Sequence, residues 1–92
     1  MLTIIARPTV DPERIDEIKA AMLDLVQETL REEGCRRYEL HQENDQPNRF
    51  LFVESRELWR RHMDGDAIER FNARIAGGII DFELSEMTKV SD

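Results

Sequence analysis

The fold is decided by residues 33–54, EGCRRYELHQENDQPNRFLFVE. Gly34 is typical of a helix end, because glycine adopts left-handed backbone angles without strain. Cys35 to Glu43 then alternates in polarity, as a half-buried strand does, and a polar turn cluster follows at Asn44 to Asn48. Arg49 to Glu54 is nearly all apolar, which is typical of a strand covered on both faces. The segment therefore predicts a helix end and two strands joined by a tight turn.

Upstream of this segment, the sequence predicts one strand and one amphipathic helix. Leu2 to Arg7 is apolar and β-branched, which favours a strand. Asp11-Pro12 indicates a helix start, because aspartate can cap a helix and proline fits its first position. From there one stripe recurs at steps of three and four residues, and it comprises Ile15, Ile18, Met22, Leu25 and Thr29.

Downstream, the sequence predicts two helical stretches and a last strand. Ser55 can cap a short helix through about Met63, and Asp64-Gly65-Asp66 is expected to break it. A second stretch carries Ile68, Phe71 and Ile75 on one stripe and ends at Gly77-Gly78. Ile79 to Val90 alternates as a strand, with Ile80, Phe82 and Leu84 on one face.

The order β-α-β-β-α-β predicts an α+β, ferredoxin-like fold in a single domain spanning residues 1–92. Its four-stranded antiparallel sheet carries the helices on one face. No element is left to cover the other face. Along the second strand, we expect Cys35, Glu39 and His41 to point away from Tyr38 and Leu40. The sequence therefore predicts a homodimer in which two sheets pack together as a dimeric α+β barrel.

Composition excludes several classes of function. The formal net charge is −7, with 20 acidic against 13 basic side chains, which argues against a nucleic-acid partner. A single cysteine cannot form an internal disulfide, and we expect Cys35 to be a packing residue. No apolar run approaches the ~20 residues of a membrane span. We therefore expect a soluble, cytoplasmic protein with no membrane partner.

The candidate chemistry is concentrated around the third strand and the residues after it. His41 and His62 are the only histidines and lie on different predicted elements, so no metal site is expected. Trp59 and His62 are one helical turn apart, and Glu54 ends the strand before them. With Phe71 and Ile68 nearby, these residues predict a pocket for a small aromatic or apolar molecule, with His62 as proton acceptor.

Simpler interpretations of the same residues stay open. Trp59 can be a core or interface residue, and His62 can be a solvated helix residue. Tyr38 can pack with its hydroxyl at the rim. Glu54 can pair with Arg56, with Arg49 or with a partner subunit.

Several of these motifs resemble the antibiotic biosynthesis monooxygenase family of small dimeric α+β barrels. The resemblance rests on Glu33-Gly34-Cys35, on Tyr38-Glu39-Leu40, on the turn at Pro47, on the apolar strand that closes on Glu54, and on the Ser55 to His62 stretch. It implies oxidation of a quinol or polycyclic phenol by O2 between sheet and helices, with no metal, haem or flavin as cofactor. It also implies a homodimer.

The resulting assignment names eight residues. The catalytic candidates are His62, Glu54 and Tyr38. The substrate-binding candidates are Trp59, Phe71, Phe52, Ile68 and Met22.

The chain departs from the family pattern after Glu54. That residue runs directly into Ser55, so a Trp-centred segment of many relatives is missing. Relatives often carry a second histidine directly before a phenylalanine, and in this chain those two positions hold Ala67 and Ile68. The haem-degrading branch requires a histidine on the last helix and an asparagine on the first strand. Here Asn72 stands near the histidine position and Leu2 to Arg7 contains no asparagine, which argues against haem degradation. The alternative function is a non-catalytic dimeric barrel that binds a small apolar metabolite.

Overall fold

The computed structural model describes residues 2–32, 34–56 and 65–91. The elements are β1 (Leu2–Val10), α1 (Ile15–Leu30), β2 (Cys35–Gln42), β3 (Phe50–Arg56), α2 (Gly65–Arg74) and β4 (Ile79–Met87). The four strands form one antiparallel sheet in the order β2-β3-β1-β4. The predicted ferredoxin-like α+β fold is therefore confirmed.

Strand pairing assigns the residues of the two central strands to opposite sheet faces. Ala6 pairs with Phe52 and Ile4 pairs with Glu54, so these residues point towards the helices. Ile5 pairs with Val53 on the other face, which we call the open face. Strand β3 lies in the middle of the sheet and is apolar on both faces. One face packs against α1, and the other forms the apolar centre of the open face.

Strand β3 runs further than predicted. It continues to Arg56, and Ser55 pairs with Thr3 on β1 and with Arg37 on β2. The predicted helix cap at Ser55 is therefore wrong, because two strand neighbours hold that backbone extended. The rest of that predicted helix lies outside the described residues, and Gly65 belongs to α2 rather than to a break.

Helix α1 begins later than predicted. Asp11 Oδ1 accepts a hydrogen bond from the backbone N–H of Glu13 at 2.9 Å, and the Asp11 carbonyl accepts one from Arg14 N–H, also at 2.9 Å. These bonds close a turn that contains Pro12, and the helix itself starts at Ile15. Asp11 therefore caps the turn before the helix, not the helix.

Two irregularities change which residues face the helices. In β2 the register shifts between Cys35 and Arg37, so Cys35 pairs with Arg56 and packs against the core. The expectation that Cys35 points away from Tyr38 and Leu40 is wrong for this reason. In β4 a similar shift lets Ile79 pair with Val10 and contact the core, while Ile80 is exposed.

The core lies between α1 and the helix-facing side of the sheet. The predicted α1 stripe is buried almost throughout, and the buried α1 residues are Ile18, Ala21, Met22, Leu25, Val26 and Thr29. Gly78 lies directly against this helix, because a Cβ there would sit 2.5 Å from Ile18 Cδ1. Among the residues that the structure describes, no helix is long and apolar enough to cross a membrane.

Candidate functional site

A cavity of about 410 Å³ lies between the helix-facing side of the sheet and the two helices. Such a volume falls within the range of small-molecule sites, about 300–1,000 Å³. The cavity is lined by Ile4, Ala6, Pro8, Met22, Leu25, Tyr38, Phe52, Glu54, Phe71, Asn72, Ile79, Phe82 and Leu84. Ten of these thirteen side chains are apolar, and the polar ones are Tyr38, Glu54 and Asn72.

The polar part of the cavity floor is a cross-strand pair. Tyr38 on β2 lies directly opposite Glu54 on β3, and both point towards the helices. Directly opposed residues have Cβ atoms about 4.5–5.5 Å apart. Glu54 is only 7% exposed and Tyr38 is also buried. A phenol and a carboxyl group are thus placed side by side beneath an apolar space.

Aromatic packing fixes the orientation of Tyr38. Its ring meets the ring of Phe52 edge to face, with centroids 5.4 Å apart and an interplanar angle of 87°. Such T-shaped pairs are favourable by about 0.5–1.5 kcal/mol beyond the area they bury. Because Phe52 is itself buried between α1 and its strand neighbours, the Tyr38 ring has little freedom to turn.

The cavity opens on the side of β4. Phe82 and Leu84 line it, yet they are 54% and 60% exposed. Strand β4 is an edge strand, and it pairs only with β1 within the described sheet. On the helix side, Phe71 is half-buried and Asn72 is exposed, so Asn72 lies nearer to the opening.

The structure brings five of the eight predicted site residues to this one cavity. They are Tyr38, Glu54, Phe52, Met22 and Phe71. Trp59 and His62 lie outside the described residues, as does the side chain of Ile68 on α2. The roles assigned to all eight stay predictions.

Sequence reasoning missed three residues at the cavity opening. The alternation of β4 placed Phe82 and Leu84 on one face, but no pattern showed that this face borders a cavity. The family resemblance singles out Asn72 only as the residue near the position of a histidine. The signal that could have found Asn72 is its position directly after the predicted pocket residue Phe71.

Helices α1 and α2, which roof the cavity, are joined by two ion pairs. Arg74 Nη1 donates to Asp24 Oδ2 at 2.6 Å, and Arg70 pairs with Glu28 one turn away. Leu25 and Phe71 lie below these pairs and also line the cavity. The ion pairs are exposed, so each contributes only about 0–1 kcal/mol to stability.

The main charged cluster of β2 lies on the open face, away from the cavity. Arg37 donates two hydrogen bonds to Glu39, at 2.8 and 2.9 Å, and His41 Nε2 lies 3.2 Å from the same carboxylate. Hydrogen bonding to Arg37, and then to His41, lowers the pKa of Glu39 to about 2. As expected, His41 is on the face opposite to Tyr38 and Leu40, so it takes no part in the cavity.

No metal centre is apparent in the described part of the chain. Residues 2–32, 34–56 and 65–91 contain no group of three or more His, Cys, Asp or Glu side chains placed to hold a metal ion.

Comparisons with known proteins identify a matching family and solved structures with the same fold. The sequence model of the antibiotic biosynthesis monooxygenase family matches residues 1–74. A search of curated proteins found no match to this chain. The crystal structure of an antibiotic biosynthesis monooxygenase superposes with a TM-score of 0.90 at 25% identity, covering 99% of this chain and 100% of that one.

Two further solved structures share the fold. A protein from Shewanella oneidensis superposes with a TM-score of 0.83 at 26% identity, covering 94% of this chain and 87% of that one. A protein from Pseudomonas aeruginosa gives a TM-score of 0.90 at 20% identity, covering 98% and 94%.

Proposed function

The chain belongs to the antibiotic biosynthesis monooxygenase family, and from that premise we propose that it oxidises a small phenolic or quinol substrate with O2 in the cavity between sheet and helices. The observation that supports this proposal is the Tyr38–Glu54 pair, a phenol and a buried carboxyl group side by side in a cavity whose other described lining residues, except Asn72, are apolar. A planar aromatic ring suits the apolar walls, and its hydroxyl needs hydrogen-bonding partners that these two residues supply.

In the proposed reaction, the substrate hydroxyl donates to the Glu54 carboxylate and accepts from the Tyr38 hydroxyl. Glu54 takes the proton, and the Tyr38 hydroxyl stabilises the phenolate that results. Because the surrounding side chains are apolar, little water competes for these hydrogen bonds, and each is stronger than it would be in solvent.

The phenolate then reacts with O2. It passes one electron to O2, and the radical pair combines at the ring carbon opposite the hydroxyl to give a hydroperoxide, which takes back the proton from Glu54. Loss of water from the hydroperoxide leaves a quinone. The balance for a simple naphthol is one naphthol plus one O2 giving one naphthoquinone plus one water. In this scheme no metal, haem or flavin is required, as the family resemblance implies.

We also propose that the functional unit is a homodimer joined through the open face. The centre of this face is apolar and half-buried in the single chain, with Ile5, Leu51 and Val53 as neighbours. Charged residues surround it, among them Arg37 and Glu39. A second sheet would cover this centre, and about 800 Å² per partner would suffice for a stable interface.

The test of the proposed reaction is oxygen consumption with 1-naphthol, using protein treated with a chelator. Quinone and water should form together, and oxygen-18 gas should label one oxygen of the quinone. Glu54→Gln keeps the shape of the side chain but removes the base, so we expect turnover to fall about 10²–10⁴-fold. Glu69→Gln, on the exposed face of α2, is the matched control and should leave turnover unchanged.

The sequence-based assignment of His62 as proton acceptor is tested in the same assay. If His62→Ala abolishes turnover and Glu54→Gln does not, the proton goes to His62. If a panel of naphthols and hydroquinones binds without any oxygen uptake, the monooxygenase proposal is refuted and the binding-module alternative is favoured.

A further inference from the structure

The polar groups of the cavity lie in two separate places. Tyr38 and Glu54 form one buried group on β2 and β3, and β1 separates these strands from β4 at the opening. Among the described lining residues, Asn72 is the only polar one contributed by a helix, and it lies at the exposed end, across the cavity from the sheet. Between the two groups the described walls are entirely apolar.

Asn72 is available for a ligand. Within the described residues its side chain makes no hydrogen bond. A carboxamide both donates and accepts hydrogen bonds, so it can bind a hydroxyl or a carbonyl equally well. Its neighbour Phe71 offers an apolar surface just inside, and Phe82 and Leu84 face the opening from the edge strand.

We propose that Asn72 is a specificity-determining residue, whose carboxamide binds a second oxygen of the substrate at the cavity opening. The proposal rests on the proposed function, because it assumes that the first oxygen is held by Tyr38 and Glu54. A ring system with oxygens at both ends makes polar contacts at both ends of the cavity. A monophenol makes them at one end only and leaves Asn72 unused.

The expected preference for a diphenol over a monophenol can be given as a ratio of affinities. A neutral hydrogen bond contributes a net ~0.5–1.5 kcal/mol, which corresponds to roughly 2- to 12-fold in affinity. The cavity should therefore prefer a diphenol with opposed hydroxyls over the matching monophenol by about that factor. Both compounds have the same ring area, so the apolar contribution cancels in the comparison.

The experiment compares 2-naphthol with 2,6-dihydroxynaphthalene by calorimetry under anaerobic conditions, where no oxidation can occur. The wild-type chain should bind the diphenol about 2- to 12-fold more tightly. Asn72→Leu removes the carboxamide at similar size and favours the helix slightly. In this variant the preference should disappear because the diphenol is weakened, whereas the affinity for 2-naphthol stays the same.

The controls separate specificity from general damage. Asn44→Leu, in the exposed turn between β2 and β3, should keep the wild-type preference. The proposal is overturned if Asn72→Leu weakens both naphthols equally, if the preference survives in that variant, or if the wild type binds neither compound. Because oxygen is absent, a failure of the oxidation chemistry would show only in the aerobic assay and would leave this result intact.

Discussion

Replacing Phe52 by alanine tests whether β3 anchors both the core and the cavity. Phe52 is 7% exposed, lies between Ala6 and Leu40 on neighbouring strands, and holds the Tyr38 ring edge to face. We expect Phe52→Ala to lower the free energy of unfolding by about 3–5 kcal/mol, the usual cost of truncating a buried phenylalanine.

The magnitude follows from separate contributions. Removing a buried phenylalanine from its apolar surroundings costs about 1.5–3 kcal/mol. Loss of the aromatic pair with Tyr38 adds about 0.5–1.5 kcal/mol. The side chain also lines an existing cavity, so truncation enlarges a space that the fold already maintains. The neighbours cannot collapse fully onto the gap, and a further cavity contribution remains.

The assay is urea denaturation followed by circular dichroism, at one fixed protein concentration because a dimer would make stability depend on it. Phe82→Ala is the matched control. Phe82 is 54% exposed at the cavity opening, so its truncation should cost less than about 1 kcal/mol. A loss below about 1 kcal/mol for Phe52→Ala, or equal losses for the two variants, would refute the central position of β3.

Three further predictions concern packing, assembly and charge. Gly78→Ala should lower the free energy of unfolding by about 1–3 kcal/mol in urea melts, because the new Cβ would lie 2.5 Å from Ile18 Cδ1 and 2.9 Å from a backbone carbonyl oxygen; an unchanged midpoint would contradict this packing. Sedimentation at micromolar concentration should show a dimer for the wild type and a folded monomer for Val53→Asp, and a compact wild-type monomer would rule out the open-face interface. Hydrogen bonding to Arg37, and in second place to His41, lowers the pKa of Glu39 in the folded chain to about 2. The ionised carboxylate therefore favours folding above its ordinary pKa of 4.5, and this contribution is lost as the pH falls towards 2. Glu39→Gln should therefore reduce the small loss in the free energy of unfolding between pH 4.5 and pH 2. If the free energy of unfolding of the variant depends on pH as that of the wild type does, this prediction is contradicted.

The topology could be predicted from the sequence because it depends on local patterns. The stripe through Ile18 and Met22 fixes which side of α1 is buried, and the turn after β2 fixes the pairing with β3. Errors arose where neighbouring strands override a local preference. Ser55 is a good helix cap in isolation, but β1 and β2 hold it in the sheet. Cys35 faces the core only because the register shifts beside it.

The residues of the candidate site also differ in whether local sequence or tertiary packing determines their positions. Tyr38 and Glu54 belong to consecutive strands joined by a short turn. The register of this hairpin places them opposite each other, so their proximity could be inferred from the sequence. Asn72 belongs to a helix whose rotation over the sheet depends on contacts with α1, and no spacing in its own segment specifies that rotation. The polar pair that we propose for the chemistry thus follows from local sequence. The residue that we propose for specificity follows from tertiary packing, and substitutions that change the packing of α2 can alter substrate preference without changing the pair.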